Sequence, residues 1–416
     1  MAEPKLRFRR EDGTNYPEWK NIIFAETFSP LNNNTFSRDM LSDNGEVYNI
    51  HYGDILVKFG EVCDIQSAII PKVNVNIDTS KFDKLRDGDI IIADTAEDET
   101  VGKAIEIYHV GNNKVVSGLH TMACRPNIDF FPKYLGYYIN SPSYHNQLIP
   151  FMQGIKVTSI GRKNIADTII CFPKNLEEQQ KIADFLTTID EVIAQSEAEV
   201  QNLEQQKKAA MQKIFSQEVR FKREDGTEFP KWETVALGEI VEPNIIPVDN
   251  PRSNYVKLAV RSHCKGTFHK QITNESDGLD IDKMFLVEAN NLIVNITFAW
   301  EHAIAITKPE DNGTYVSHRF PQYKFINNNL PSFYEYVIKK PKMKYEMGLC
   351  SPGGAGRNRV LNQKDFMKIL MVRPCPEEQQ KIADFLSAYD EAITYAKHEL
   401  DKWKELKKGL LQQMFV

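Results

Sequence analysis

Apolar residues recur at α-helical spacing along two long stretches of the chain. Residues 177–217 contain no proline or glycine, and Gly409 is the only such residue after Pro376. In the first stretch the apolar or small positions are Ile182, Phe185, Ile189, Val192, Ser196, Val200, Leu203, Ala210 and Ile214. In the second stretch they are Ile382, Phe385, Tyr389, Ala392, Ala396, Leu400, Trp403, Leu410 and Met414. Steps of three and four predict two helices, each of about 39 residues and therefore roughly 58 Å long.

Each helix carries too much apolar surface to stand alone in water. We therefore expect the two helices to pair with each other as an antiparallel coiled coil. Packing of each helix on its own neighbouring domain is the alternative. The residues expected to contact the other helix or partner proteins are Ile182, Phe185, Ile189, Leu203, Ile382, Phe385, Tyr389 and Trp403.

The regions 21–176 and 234–376 have a different pattern, with short β-prone runs between turn residues. The runs lie at 88–94, 103–110, 114–120, 290–298, 302–308 and 314–320. Each region then has a more helical stretch, a basic loop that contains glycine, and one more strand before its long helix. The helical stretches are residues 130–149 and 330–347. The predicted fold class is α+β, with two domains of similar plan and divergent sequence.

Two internal repeats organise the chain. The first, which we name the lead motif, reads RFRREDGTNYPEWK at 7–20 and RFKREDGTEFPKWE at 220–233. The second, which we name the decapeptide, reads EEQQKIADFL at both 177–186 and 377–386. The order is circular, because the end of copy two could continue into the start of copy one. This layout predicts a pseudo-twofold arrangement with neighbouring chain ends. A tandem duplication without spatial symmetry is the alternative.

The composition excludes several classes of protein. Hydrophobic residues make up 42% of the 416 positions and charged residues 26%, which is an ordinary globular balance. There is no transmembrane-length apolar run and no apolar signal-peptide core at the start. The six cysteines form no CxxC, and the nine histidines form no HExxH or HxH. We therefore expect no metal site, reduced thiols and a cytoplasmic location.

The charge is unevenly distributed along the chain. The whole chain has a net charge of −6, which argues weakly against a nucleic-acid partner. Residues 20–176 carry 15 basic and 18 acidic side chains, whereas residues 234–376 carry 18 and 14. The helical segments hold most of the remaining acidity. This distribution indicates DNA contacts on the second domain and protein contacts on the helices.

The two basic loops before the last strand of each domain are the clearest candidates for DNA contact. The stretch SPGGAGRNR at 351–359 is not a P-loop, because no Lys-Ser/Thr follows its glycines. Its counterpart is QGIKVTSIGRKN at 153–164. The candidate DNA-binding residues of the two loops are Lys156, Thr158, Ser159, Arg162, Lys163, Arg357, Asn358 and Arg359. An ordinary solvated surface loop is the alternative at both places.

Further candidates lie in the loops between strands and in two basic segments of the second domain. They are Thr95, Thr297, Arg252, Lys257, Arg261 and Lys265. Asp94 or Glu97 could accept a hydrogen bond from cytosine. His120 and His318 stand in similar contexts, and we expect them to be structural. For each of these residues, a surface turn without function is the alternative.

Catalytic motifs are absent from the sequence. It has no Asn/Asp-Pro-Pro-Tyr/Phe tetrapeptide, no FxGxG loop, no PD…(D/E)xK pattern and no Walker A motif. Nor is there a local signature of a serine or cysteine nucleophile. If the chain takes part in DNA chemistry, we expect it not to be the enzyme.

These features together resemble the specificity (HsdS) subunit of type I restriction–modification enzymes, over nearly the whole length. The resemblance is carried by the two variable domains, the repeated decapeptide, the circular order, and YPEWK and FPKWETVALGEI in the lead motifs. The segments YNIHYGDI at 48–55, LRDGDIIIADTAEDETVGKA at 85–104 and VVSGLHT at 115–121 also look like the first recognition domain of that family.

The resemblance implies a division of labour along the chain. Residues 1–176 and 220–376 would be target recognition domains, each reading one half of a split, non-palindromic sequence in double-stranded DNA. Residues 177–219 and 377–416 would be spacer helices that set the gap and bind two methyltransferase subunits. S-adenosylmethionine would sit on those subunits, and ATP with Mg²⁺ on restriction or motor subunits, so that this chain binds no cofactor.

Two other functions remain open from the sequence. One is a self-contained methyltransferase or nuclease, against which the missing motifs weigh. The other is a coiled-coil scaffold that uses its domains for protein contacts and has no DNA specificity. Salt-dependent DNA binding separates the scaffold from the recognition subunit.

Overall fold

The computed structural model describes residues 3–154, 156–353 and 359–416. The chain forms two compact units, which divide both long helices between them. Unit 1 consists of Met1–Val200 with Tyr395–Val416, and unit 2 of Gln201–Thr394. The sequence-based division into four segments therefore stays a prediction, because each unit contains parts of both helices.

Unit 1 is built from short strands and helices around the start of one long helix. Its strands are β1 (Lys20–Ile23), β2 (Phe28–Pro30), β3 (Leu41–Ser42), β4 (Val47–Ile50), β5 (Val62–Asp64), β6 (Lys72–Val73), β7 (Ile90–Ala93), β8 (Thr95–Ala96), β9 (Ala104–Tyr108), β10 (Lys114–Ser117), β11 (Thr121–Pro126), β12 (Thr158–Ser159) and β13 (Ile169–Phe172). Its helices are α1 (Phe24–Thr27), α2 (Tyr52–Val57), α3 (Tyr134–Asn140), α4 (Pro142–His145), α5 (Arg162–Ala166) and the start of α6 (Leu176–Phe215).

Two larger sheets form the framework of unit 1. One has the order β10-β4-β6-β3 and the other β2-β11-β7-β9-β5. Two small antiparallel pairs, β1 with β13 and β12 with β8, complete the unit. The second sheet is buried on both faces, because alternate residues of β7 enter different clusters: Ile90 and Ile92 face one core, Ile91 and Ala93 the other.

Unit 2 repeats this plan with different strand lengths. Its strands are β14 (Glu233–Ala236), β15 (Val241–Pro243), β16 (Pro247–Asp249), β17 (Tyr255–Val260), β18 (Thr267–Ile272), β19 (Lys283–Leu286), β20 (Leu292–Val294), β21 (Ile304–Ile306), β22 (Tyr315–Val316), β23 (Gln322–Phe325) and β24 (Leu370–Arg373). Its helices are α7 (Pro331–Ile338), α8 (Pro341–Leu349), α9 (Gln363–Phe366) and the start of α10 (Pro376–Gln413).

The sheets of unit 2 have the orders β15-β23-β20-β21 and β16-β19-β22-β17-β18, with the pair β14-β24 beside them. All six β-prone runs predicted from the sequence contain a strand, and both predicted helical stretches contain helices. The α+β class is confirmed. Each predicted loop before the last strand also contains, or leads into, a short helix, α5 in unit 1 and α9 in unit 2.

The decapeptide is the site where each domain joins its long helix. In unit 1 the buried Glu178 carboxylate accepts hydrogen bonds from Arg7 Nε at 2.8 Å and Trp19 Nε1 at 3.2 Å. In unit 2 Glu378 accepts from Arg220 Nε at 3.1 Å and Trp232 Nε1 at 2.9 Å. A buried carboxylate needs such partners. The lead motif and the decapeptide are therefore repeated together because they bind each other.

The next residue of the decapeptide holds the domain to the helix. Gln179 donates its side-chain amide to the Pro173 carbonyl and accepts from the Phe131 backbone amide, both at 2.8 Å. Gln379 donates to the Pro374 carbonyl and accepts from the Leu330 amide. The same two bonds thus recur in both units.

The chain ends meet in unit 1, as the circular order predicts. The backbone amide of Leu6 donates to the Gln413 carbonyl at 2.9 Å. In unit 2 the corresponding bond runs from the Val219 amide to the Lys213 carbonyl at 3.2 Å, within continuous chain. The hydrogen bond between the two ends of the chain in unit 1 therefore corresponds to a hydrogen bond within a short turn of unit 2.

Within unit 1 the end of α10 runs antiparallel to the start of α6. Lys404 Nζ lies 2.7 Å from Glu197, and Lys407 Nζ lies 2.6 Å from Asp190, so the pairing positions advance in opposite directions. Lys407 also lies 2.5 Å from Glu61 in the domain. In unit 2 Lys207, near the end of α6, forms an ion pair with Asp390. Both expected packing modes therefore occur, because each helix starts on its own domain and ends beside the other helix.

The predicted helix-contact residues divide into three groups. Ile182, Ile189 and Ile382 are buried in the domain cores. Phe185 and Phe385 are each 38% exposed and pack edge-on against Phe8 and Phe221 of the lead motifs. The remaining three, Leu203, Tyr389 and Trp403, are half-buried.

The Arg220–Glu378 pair gives a stability prediction. Arg220→Ala leaves the buried Glu378 carboxylate without its cation and should lower the free energy of unfolding by about 3–5 kcal/mol. Chemical denaturation of the full chain measures this change. Lys222→Ala, at an exposed position of the same motif, is the matched control and should change stability little. A loss as small as the control's would mean that the carboxylate does not depend on this arginine.

Glu106 gives a pH prediction. This side chain is buried, and its carboxylate accepts from the backbone amides of Lys133 and Gly136 at the start of α3. Burial raises the pKa of Glu106 from 4.5 to about 7. The folded state therefore holds a proton that the unfolded state releases, and stability falls as pH rises from about 4.5 to 7.

Glu106→Gln replaces the titratable carboxyl group with an amide that does not titrate. The variant should become more stable relative to wild type as pH rises from 4.5 to 7, with no further change above that window. Denaturation at a series of pH values measures the difference. The exposed Glu97→Gln variant should follow wild type throughout. A pH-independent difference between Glu106→Gln and wild type would refute the raised pKa.

Candidate nucleic-acid interface

The first domain brings three predicted DNA-binding residues together on one small ribbon. Strand β8 pairs antiparallel with β12, so that Ser159 lies opposite Thr95 and Thr158 opposite Ala96. The Ile160 amide then donates to the Asp94 carbonyl at 2.9 Å. The predicted strand-to-strand loop and the predicted basic loop are thus one hydrogen-bonded structure.

Two residues beside this ribbon extend the polar surface. Asp94 Oδ1 accepts from Thr95 Oγ1 at 2.8 Å and lies 3.3 Å from His120 Nδ1. The His120 side chain is about half exposed, and its ring packs edge-on against Tyr52. A carboxylate, a hydroxyl and an imidazole are all groups that can bind base edges. His120 is therefore a candidate for contact as well as a structural residue.

Arg162 begins helix α5 at the end of the same ribbon. Its Nη2 donates to Asn33 Oδ1 at 2.8 Å, and Asn33 Nδ2 donates to the Gly118 carbonyl at 3.2 Å. The asparagine is therefore held from both sides. Sequence reasoning missed Asn33, which lies 129 positions from Arg162. Lys156 and Lys163 are exposed on either side of the ribbon.

The second domain has the same backbone frame. The Leu361 amide donates to the Ile296 carbonyl at 2.8 Å, as Ile160 does to Asp94 in the first domain. Thr297 follows this point, and its amide donates to Asn295 Oδ1. The Arg359 guanidinium lies over the Trp300 ring at 5.6 Å. Thr297 and Arg359 therefore occupy positions that correspond to Thr95 and Thr158.

Two further candidates belong to the glycine-rich loop before Arg359. Arg357 and Asn358 lie outside the described residues. Their placement in a DNA-binding surface stays a prediction from the sequence.

The other basic candidates of unit 2 lie on its second sheet or in the loops beside it. Arg252 precedes β17 and is neutralised by Asp282, at 2.9 Å, and by Asp280, at 3.8 Å. Lys257 is on β17, and Arg261 directly follows that strand. Lys265 is exposed in the turn before β18. From the sequence these four residues look like one basic group. In the structure Arg252 is paired with carboxylates, whereas the other three form no ion pair with the described residues.

The described residues contain neither a metal-binding cluster nor a membrane-spanning helix. In that part of the chain, no three His, Cys, Asp or Glu side chains are grouped to hold a metal ion. No helix within the same ranges is both long enough and apolar enough to cross a membrane.

Two α+β domains of similar plan, each joined to a long helix, with a polar ribbon on the first of them, fit a protein of the DNA-specificity class. The chain belongs to the family of the type I restriction modification DNA specificity domain, whose model matches residues 18–205 and again 230–404. The two matches correspond to the two halves of the internal repeat.

Known proteins similar to this chain agree with that assignment. A curated relative, the putative type I restriction enzyme MjaX specificity subunit of Methanocaldococcus jannaschii, is 24% identical over 392 residues, covering 87% of this chain and 83% of the relative. The crystal structure of a type I restriction–modification S subunit from M. genitalium matches 100% of this chain and 99% of its own, with a TM-score of 0.56 and 13% identity.

A second solved structure, from work on complex assembly and conformational transition of the type I restriction–modification system, has a TM-score of 0.52 and 14% identity. It matches 95% of this chain and 97% of its own. These two likenesses confirm the fold. The family assignment makes the chain a type I DNA specificity subunit, which is a non-catalytic component of its system.

The Arg162–Asn33 contact gives a binding prediction. Arg162→Ala removes both a positive charge and the partner of Asn33, so it should weaken binding to random DNA and weaken binding to target DNA further. Asn33→Ala removes only a neutral hydrogen-bonding group and should weaken target binding by about tenfold, with random DNA unaffected. Fluorescence anisotropy on both duplexes separates the two effects. Lys174→Ala is the control for loss of an exposed charge; equal behaviour of all three variants would contradict the assignment.

Proposed function

We propose that each unit reads one half of a bipartite, non-palindromic sequence in double-stranded DNA. The supporting observation is the same backbone frame carrying different side chains in the two units. Arg359 corresponds to Thr158, and Ile296 to Asp94. The Asp94 amide donates to the His120 carbonyl, and the Ile296 amide donates to the Arg319 carbonyl. Arg319 therefore corresponds to His120. One frame with two sets of donors and acceptors suits two different base sequences.

The candidate residues divide into two roles under this proposal. Thr95, Thr158 and Ser159 of unit 1, with Thr297 of unit 2, are hydroxyl groups suited to base edges or phosphates. The charged candidates bind phosphates and, in the two basic loops only, guanine; they are Lys156, Arg162, Lys163, Lys257, Arg261, Lys265, Arg357 and Arg359. Asn358 would read bases in unit 2 together with Thr297. Arg252 contributes less, since its charge is already paired.

The long helices act as the ruler between the half-sites in this proposal. Helix α6 has 40 residues and α10 has 38, both without a break. At 1.5 Å per residue they are roughly 57–60 Å long. A change in their length would change the number of unread base pairs and leave the bases that each domain reads unchanged.

The exposed side of the decapeptide is the same in both copies, and this identity is the argument for two copies of one partner protein. Gln180 and Asp184 face solvent and are identical to Gln380 and Asp384, which are exposed in the same way. Folding explains identity at buried positions such as Glu178, but it does not require identity at exposed ones. We propose that this repeated surface binds two methyltransferase subunits.

The chemistry then belongs to the partners. S-adenosylmethionine would bind the methyltransferase subunits, which methylate adenine, and ATP with Mg²⁺ would bind restriction or motor subunits. This chain itself would hold no cofactor. Because the substrate would be host and invading DNA, we propose that the complex works in the cytoplasm. A coiled-coil scaffold without DNA specificity is the competing function.

The sequence of methylated sites tests this function. The chain is co-expressed with its methyltransferase, and host DNA is sequenced for methyladenine. We expect a split motif with a fixed gap that is lost when this chain is absent. Inserting four residues near Gln205 adds roughly 6 Å to α6, so the gap should change while both half-sites stay the same.

The same insertion at Gly111, in an exposed turn of unit 1, is the matched control and should change neither the gap nor the half-sites. A changed half-site sequence after the helix insertion would disprove the ruler. Absence of any split motif, together with salt-independent DNA binding, would support the scaffold.

A further inference from the structure

The β17–β18 hairpin forms one edge of the five-stranded sheet of unit 2. Strand β18 is the edge strand, and Phe268, His269, Lys270 and Gln271 along it are all exposed. Lys257 pairs in register with Lys270, and Ala259 with Phe268. One face of this hairpin is buried in the core, and the other carries exposed cations next to the buried pair Tyr255–Ile272.

One face of the hairpin is turned to the protein core. Leu258 and Val260 are buried in a cluster with Val287, Ile293 and Val316. Alternate residues of a strand point to opposite faces. Lys257, Ala259 and Arg261 therefore lie on the other face, together with Lys270 and Phe268 across the ladder.

Lys257 and Lys270 place two like charges directly opposite each other. Such a cross-strand pair is destabilising by itself. Lys257 is also half-buried, and burial together with the charge of Lys270 lowers its pKa. Neither lysine has an ion-pair partner among the residues that the structure describes. Because the two lysines repel each other and no carboxylate of the described residues pairs with them, this site is suited to an anion of a bound ligand.

Arg261 adds a third cation to the same face. Its guanidinium lies over the Phe268 ring at 5.1 Å, and Nη1 donates to the Thr267 carbonyl at 2.9 Å. These contacts fix the side chain without neutralising it, since no carboxylate of the described ranges forms an ion pair with it. A preorganised arginine loses little entropy when it binds an oxyanion.

Two other cations, on the same sheet or in the loop before β17, are paired with carboxylates. Arg252 is paired with Asp282, and Lys283 Nζ lies 2.5 Å from Asp249. Acidic side chains are thus available nearby, yet none pairs with the three cations on the hairpin face. The contrast indicates a selected positive surface and not a general excess of lysine.

We propose that this face, formed by Lys257, Arg261 and Lys270 around Phe268, binds phosphates of the DNA backbone and anchors the second domain without reading sequence. The inference rests on the proposed function for the identity of the ligand and goes beyond it by separating anchoring from reading. The three cations contribute most of the net positive charge of residues 234–376, which carry 18 basic and 14 acidic side chains.

The salt dependence of binding to a short random-sequence duplex tests the anchor in the full chain. The slope of log affinity against log salt should become shallower by about 0.9 for each phosphate that the variant no longer neutralises. Lys257→Gln and Lys270→Gln should each show this change, and at about 0.1 M salt each should weaken binding roughly eightfold. Lys270→Arg keeps the charge and should restore the wild-type slope.

Lys283→Gln is the matched control, because it removes one charge from the same sheet at a lysine that is already paired. Its slope should equal that of wild type. The anchor is refuted if the two hairpin variants keep the wild-type slope, or if Lys283→Gln reduces it as much as they do. The methylated motif should be unchanged in all variants, since the hairpin does not read bases; a changed motif would also overturn the proposal.

The two proposals fail separately. If wild type binds random DNA with no salt dependence and directs no split methylation motif, the proposed function itself fails. If wild type directs such a motif and the lysine variants bind as it does, only the anchor fails.

Discussion

The need to pair a buried carboxylate shapes each half of this protein. Glu178 and Glu378 lie in the first turn of their long helices with almost no exposure, and each is partnered by an arginine and a tryptophan from a lead motif 146–171 residues earlier. The pairing holds the start of each domain next to the beginning of the long helix that follows the domain. The intervening region is closed into a loop whose two ends are fixed, and its length can differ between the copies because only the ends are constrained.

The long helices and the repeats could be predicted from the sequence, because both signals are long. A stripe maintained over ten turns is hard to produce by chance, and the repeated decapeptide marks the positions where identity is needed for packing, such as Gln179. The pairing of β8 with β12 could not be predicted, since two-residue strands carry no periodicity. For the same reason Asn33 was missed: its role depends on Arg162, and nothing local in the chain connects them.

The basic residues show a second limit of the sequence. Arg252 and Lys257 are five positions apart and look alike in a charge count, yet one is neutralised by Asp282 and the other stands opposite a second lysine. Whether a charge is available depends on strand register and on the neighbouring strands, which the sequence does not state. The sum of charges over the second domain predicts a DNA partner, but it does not say which cations face that partner.

The way in which the two lead motifs bind the two decapeptides has a consequence for how such a protein can change. The glutamate, arginine and tryptophan that join each domain to its helix lie in the repeated segments, whereas the residues proposed to meet the bases lie between those segments. A whole domain can therefore be exchanged as a cassette, with crossovers inside near-identical stretches, and the product keeps its buried carboxylate, its arginine and its tryptophan. Target specificity can then be replaced in one event while the rest of the complex continues to recognise the same subunit.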